Sequence, residues 1–244
     1  MKDNFSAQAK LYVQFRPAYP AELIAFILSV VEQKNIAWDC GTGNGQIAAA
    51  LAEYFRTVYA TDISERQIEN ALQKKNIMYR VEAAESTSFP DEFFDVITVA
   101  QAIHWFDIEK FYCNAQRTLK TNGILAVIGY SLPRADEKIN AIIDDFYSRT
   151  LNSYWDAERK YIDELYQTIP FPFREISSPQ FSITYEWRLE NMLGYLQTWS
   201  AVQNYAKRNN VNPVHAIVND VQQCWKENEL KRITFPTLLR IGRK

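Results

Sequence analysis

Apolar and polar positions along the chain change period repeatedly. Short runs rich in apolar and β-branched residues, at 37–40, 57–60, 77–81, 94–100 and 124–130, read as strands. Between them lie stretches with helical spacing. These predict helices over 21–34, 46–55, from a Ser64 cap to Lys75, and up to an Asn122-Gly123 stop. Regular alternation of strand and helix implies a parallel sheet covered on both faces. After Tyr130 the rhythm fails. Residues 131–175 hold many aromatics, with Pro170 and Pro172 marking a break, and predict a helical insert on the substrate side. Strand character returns at 181–187 and helices follow at 189–207 and 213–227. A last strand spans 233–241, with Pro236 suggesting an edge or a bulge. One domain is expected over 1–244, with an irregular proline-rich flap at 1–20.

The most informative stretch joins the first strand to the second helix. Asp39-Cys40-Gly41-Thr42-Gly43-Asn44-Gly45 runs into the alanine-rich segment Gln46 to Leu51 and carries three of the chain's seven glycines. Glycine at alternate positions suits a sharply turning backbone that a ligand can approach closely. In an open parallel sheet such a loop stands at the carboxyl end of the strands, where ligands bind. The spacing is not the G-x-G-x-x-G of dinucleotide sites. Asp39 before the loop would repel a pyrophosphate and suit a ligand with an ammonium group. Asp62 ends the second strand about 20 residues on, at the distance from which a carboxylate reaches ribose hydroxyls.

D-C-G-T-G-N-G, then T-D-I-S, Ala84-Glu85, the run Phe94 to Phe106, and Leu119 to Leu125 resemble, in order, the motifs of class I S-adenosylmethionine-dependent methyltransferases. Within that class the chain is similar to the type-11 branch that includes the trans-aconitate methyltransferases. The resemblance implies a Rossmann-like, doubly wound, mostly parallel seven-stranded sheet with an antiparallel last strand beside strand five. It also implies S-adenosylmethionine as cofactor and methyl transfer to a small molecule, with O-methylation of a carboxylate as one reading. Phe15-Arg16-Pro17-Ala18-Tyr19-Pro20 resembles the F-R-P-x-Y-P segment of that branch and implies a lid. The cofactor residues expected on this basis are Tyr12, Arg16, Asp39, Gly41, Gly43, Gly45, Asp62, Ile63, Ala84, Glu85 and Gln101. Ala83 stands where many relatives carry an adenine-binding Asp, so the Ala84 amide takes that role. Glu85 reads as a conformational partner of the loop.

Composition narrows the partners. Lys and Arg number 27 against 29 Asp and Glu, so no basic field points to nucleic acid or an anionic membrane. No apolar run approaches the length of a membrane span. The odd cysteine count, Cys40, Cys113 and Cys224, without metal-ligand spacing, predicts a reducing, cytoplasmic compartment and no metal site. His104 follows the end of strand four on the ligand side and is the candidate catalytic residue, as proton acceptor or as orienting group. Trp105 and Phe106 could face a sulfonium, and Arg16, Arg134 and Arg159 could pair with an acidic substrate. Two other readings compete: a cofactor-binding pseudoenzyme or partner subunit, and a nicotinamide-dependent oxidoreductase, which the glycine spacing disfavours.

Overall fold

The computed structural model describes residues 15–244. Eight strands form one sheet: β1 (Ile36–Cys40), β2 (Thr57–Asp62), β3 (Ile77–Val81), β4 (Phe94–Ala100), β5 (Leu119–Tyr130), β6 (Arg174–Glu175), β7 (Ser182–Trp187) and β8 (Lys231–Arg243). Their order is β3-β2-β1-β4-β5-β8-β6, with β7 pairing only with β8. The first five strands are parallel, and β8 enters antiparallel beside β5. The pattern predicts seven of these strands, β7 among them, and the family resemblance places β8 beside β5; the two-residue β6 is the eighth, and β7 pairs with the outer half of β8. Alternation along the central strands divides their side chains between two layers. Trp38, Ile97 and Leu125 pack on one face with α4 (Ile108–Thr118). Ala37, Val96 and Ile124 pack on the other with α1 (Ala21–Val30) and α2 (Gln46–Leu51). Helix α3 (Glu65–Glu69) follows β2, its Ser64 hydroxyl accepting from the Gln67 amide.

Of the remaining helices, α5 (Glu137–Asp145), α7 (Leu189–Gln197), α8 (Ser200–Asn209) and α9 (Val218–Cys224) pack in the lobe around the β7–β8 ribbon, while the short α6 (Lys160–Asp163) sets Ile162 into the main-sheet core on the α4 side. Phe146, Tyr195, Trp199 and Phe235 are central to the apolar core of this lobe. Several elements are shorter than the pattern predicts, each for a tertiary reason. Helix α3 stops at Glu69 instead of Lys75 because the Leu72 amide donates to the Asn44 carbonyl of the glycine loop. Helix α4 ends at Thr118, short of Gly123, where the Glu92 and Phe93 amides take the Arg117 and Thr118 carbonyls. The stretch expected as one helix over 189–207 breaks at Thr198. There the Thr198 hydroxyl bonds the Tyr195 carbonyl, and Arg16 takes the Thr198 carbonyl. Pro236 stands at neither an edge nor a bulge. It occupies the corner where β8 leaves β5 and pairs with β7.

Candidate active site

Gly41, Gly43 and Gly45 all adopt left-handed backbone angles, with φ of +67°, +54° and +79°. Gly41 is required twice over, because a Cβ there would lie 2.7 Å from the Ala102 Cβ. Gly43 differs, since nothing lies within 4 Å of the place a Cβ would take. Its empty side opens on a cleft at the carboxyl ends of β1, β2 and β4. This cleft encloses about 840 Å³ of empty space, open solvent at its mouth included. Asp62 closes one rim. Its Oδ2 accepts from the Gly43 amide at 2.9 Å and its Oδ1 from the Ser64 amide at 2.9 Å.

Asp39 lies beneath the loop, almost fully buried. Its Oδ2 accepts from Thr42 Oγ1 at 2.5 Å and from the Ala48 amide at 3.1 Å, and its Oδ1 accepts from Thr98 Oγ1 at 2.8 Å. These donors tie the loop to β4 and to the start of α2. Burial still outweighs them and lifts the carboxyl to about 6. Asp39 therefore braces the loop from within and also lines the cleft.

A second, smaller chamber lies behind the cleft, and Arg16, Gln101 and Trp105 line both. Its far wall comes from the segments that follow β5: Trp155, Asp156, Arg159, Ile162 and Trp199. Arg16 Nη1 donates to the Tyr130 hydroxyl at 3.0 Å, and the guanidinium lies 5.5 Å from the Tyr195 ring centroid. Arg159 is held over Trp155 and Tyr147 at 4.9 and 5.3 Å, with its Nε donating to the Tyr147 hydroxyl at 3.1 Å. His104 lines this chamber and is buried. Burial first, then the charges of Arg159 and Arg16, push its imidazolium down to about 3, so the ring is neutral at physiological pH. A ring so hard to protonate is a poor general base.

Residues 38–127 match the family described as a methyltransferase domain. A Dictyostelium discoideum protein named as a methyltransferase is 33% identical over 99% of this chain and 95% of its own length. A solved structure named as a type II methyltransferase from Anaeromyxobacter dehalogenans superimposes with a TM-score of 0.87. It is 36% identical, over 94% of this chain and 98% of that one. The chain belongs to the class I S-adenosylmethionine-dependent methyltransferases. A Saccharomyces cerevisiae protein named as an S-adenosylmethionine-dependent methyltransferase is a more distant relative, 22% identical over 99% of this chain and 97% of its own length.

In this methyltransferase the cleft gathers Arg16, Asp39, Gly41, Gly43, Asp62, Ile63 and Gln101 from the sequence expectation. Gly45 caps α2 against the Tyr79 hydroxyl, below the cleft wall. Ala84 and Glu85 stand apart. The chain turns after β3, Ala84 is buried with its carbonyl accepting from Asn114, and Glu85 accepts from the Asp107 amide. Glu85 thus holds the turn before α4, in place of the glycine loop with which the sequence pairs it. Phe106 packs in the core rather than along either cavity. Arg134 lies outside both cavities and pairs with both carboxylate oxygens of Asp144. Tyr12 lies outside the described residues. Sequence reasoning passed over Thr42, Gln46 and Tyr130 as wall residues; Thr42 and Gln46 adjoin the glycines and were within reach of the same loop argument. Among the described residues no group of three or more His, Cys, Asp or Glu could hold a metal, and no helix is long and apolar enough to cross a membrane.

Proposed function

We propose that the cleft seats S-adenosylmethionine and the chamber behind it a small organic acid, which becomes methylated on a carboxylate oxygen. The observation that carries this reading is that the cavities share a wall made by Arg16, Gln101 and Trp105. The cleft suits the cofactor: the open side of Gly43 leaves room for an adenosine beside the loop, and the Asp62 carboxylate stands at the rim for ribose hydroxyls. When bound, the cofactor supplies an electrophilic methyl group on sulfur. The protein's own residues hold, align and dry the acceptor. Arg16 and Arg159 line the chamber with Asp156, and Arg159 is also paired with Asp163 at 3.5 Å; two guanidinium groups in one wall supply the planar N–H donors that suit a carboxylate. A carboxylate is already deprotonated at neutral pH. No base is then needed, in keeping with the low basicity of His104, which becomes an orienting group.

Cys40, Cys113 and Cys224 are all free thiols, which supports a reducing, cytoplasmic setting. Near-neutral net charge supports a small-molecule partner over nucleic acid or a membrane. The test is a methyl-transfer screen of mono-, di- and tricarboxylic acids with S-adenosylmethionine, on the wild type and Arg159→Met. The reading expects base-labile methyl esters and at least a tenfold lower kcat/KM in the variant. Transfer to amines or neutral phenols with no acid turned over would refute it.

A further inference from the structure

Between the cleft and the chamber runs a chain of polar side chains whose proton positions follow from its first member. The Tyr130 backbone carbonyl can only accept, and Gln101 Nε2 donates to it at 3.0 Å. The Gln101 amide is thereby oriented with Oε1 turned the other way, toward Tyr166. The Tyr166 hydroxyl donates to that oxygen at 3.4 Å. With the phenol's one proton directed to Gln101, its oxygen is left to accept from the other neighbour, His104 Nδ1, at 3.1 Å. Nδ1 then carries the imidazole proton. The opposite nitrogen, Nε2, makes no hydrogen bond among the described residues, and the ring lines the second chamber.

We propose that Gln101 and Tyr166 are positioning residues that lock His104 as its Nδ1–H tautomer, so that Nε2 presents a lone pair to the chamber and seats a hydrogen-bond donor of the acceptor. This deepens the acid-acceptor reading and rests on it for the acid alone. The acceptor class becomes an organic acid that also bears a hydroxyl or N–H group within reach of Nε2.

The backbone is held in unusual conformations to build this chain. Gln101, Leu165 and Tyr166 have φ of 52°, 55° and 58°, in the left-handed region that costs a side-chain-bearing residue about 1 kcal/mol or more. Each is pinned. The Gln101 amide donates to the Ile128 carbonyl at 2.8 Å and the Tyr166 amide to the Tyr161 carbonyl at 2.7 Å. Arg240 on β8 donates through Nη1 to the Tyr166 and Ile169 carbonyls and pairs with Glu175. The Tyr166 ring lies nearly parallel to the imidazole, at 24° and 6.0 Å between centroids. This much fixed geometry around one phenol hydroxyl is what a defined tautomer needs.

The test is nitrogen-15 NMR of histidine-labelled protein, read through two-bond proton–nitrogen couplings, in the absence of cofactor and acceptor. The two histidines are told apart with His215→Gln, an exposed position. The expected result at neutral pH is a His104 ring with Nδ1 protonated and Nε2 bare. A ring protonated on Nε2, or on both nitrogens, would overturn the proposal. Tyr166→Phe keeps the ring and removes the hydroxyl. It should release the tautomer lock and lower acceptor kcat/KM about tenfold at unchanged S-adenosylmethionine affinity. An unchanged Nδ1–H signal in that variant would refute the role given to Tyr166. Because the tautomer is read without substrate, its failure is separate from failure of the acid-acceptor reading.

Discussion

Replacing Asp39 by Asn should remove a pH-dependent part of the folding free energy. In the folded protein burial holds this carboxyl at about 6, against 3.8 for the unperturbed group. The folded state therefore binds the proton more tightly than the unfolded chain. The associated stability is fully present below 3.8 and is lost as pH rises through about 6. The whole span, 2.2 pH units at about 1.4 kcal/mol each, is roughly 3 kcal/mol. Between about pH 5 and about pH 7.5 the linkage relation gives a loss on the order of 1 kcal/mol. Urea unfolding of wild type and Asp39→Asn at these two pH values isolates this quantity as a double difference, because other titrating groups cancel. The Asn variant should also be destabilised at both, since an amide cannot accept from Thr42, Thr98 and the Ala48 amide together. A double difference below about 0.3 kcal/mol would refute the burial argument for Asp39.

Neighbouring glycines should separate fold from binding. Gly41→Ala meets Ala102 and Phe106 and should lower stability by about 1–3 kcal/mol in thermal unfolding, whereas Gly43→Ala meets no protein atom and should cost about 1–2 kcal/mol yet abolish cofactor binding. Equal effects of the two on stability and binding would contradict the placement of the cleft. Asp62→Ala frees the Gly43 and Ser64 amides and removes the rim carboxylate, so cofactor affinity should fall at least tenfold by calorimetry while the fold persists. Arg159→Met removes one of the charges that depress His104, so the imidazole should titrate above its present value of about 3 yet stay below its ordinary 6.5, because burial remains the largest cause. An NMR titration reads this directly, and an unchanged midpoint would remove Arg159 from the chamber.

The cofactor loop was legible because its chemistry is local. Glycine at 41, 43 and 45, an acid just before and a second acid at 62 describe one turn and one strand end, and positive backbone angles at all three glycines follow from that pattern. That Asp39 also braces the loop was not legible, since its partners Thr98 and Ala48 depend on β4 and α2 packing beside it. The acceptor chamber was less accessible still. Trp155 stood out only as one aromatic of the insert and Trp199 only as a position in a predicted helix, and the face each turns inward is set by how α8 and the short turns at 152–159 close on one another and on the turn after β4. Tyr166 was one aromatic among several in the insert. Its importance comes from left-handed angles at Leu165 and Tyr166 held by an arginine 74 positions away, which no local propensity encodes. Helix ends were overextended at Lys75 and Gly123 for the same reason, because loop and strand groups elsewhere claim the backbone there.

The central claim, a methyl-donor cleft at the glycine loop opening on an acceptor chamber, is tested most directly by calorimetric titration of the protein with S-adenosylmethionine and S-adenosylhomocysteine, with NAD as control. Saturable binding of both sulfur compounds at one site per chain, with no heat from NAD and no binding to Gly43→Ala, is the predicted result. Binding of NAD, or sulfur-compound binding that survives in Gly43→Ala, would contradict the account.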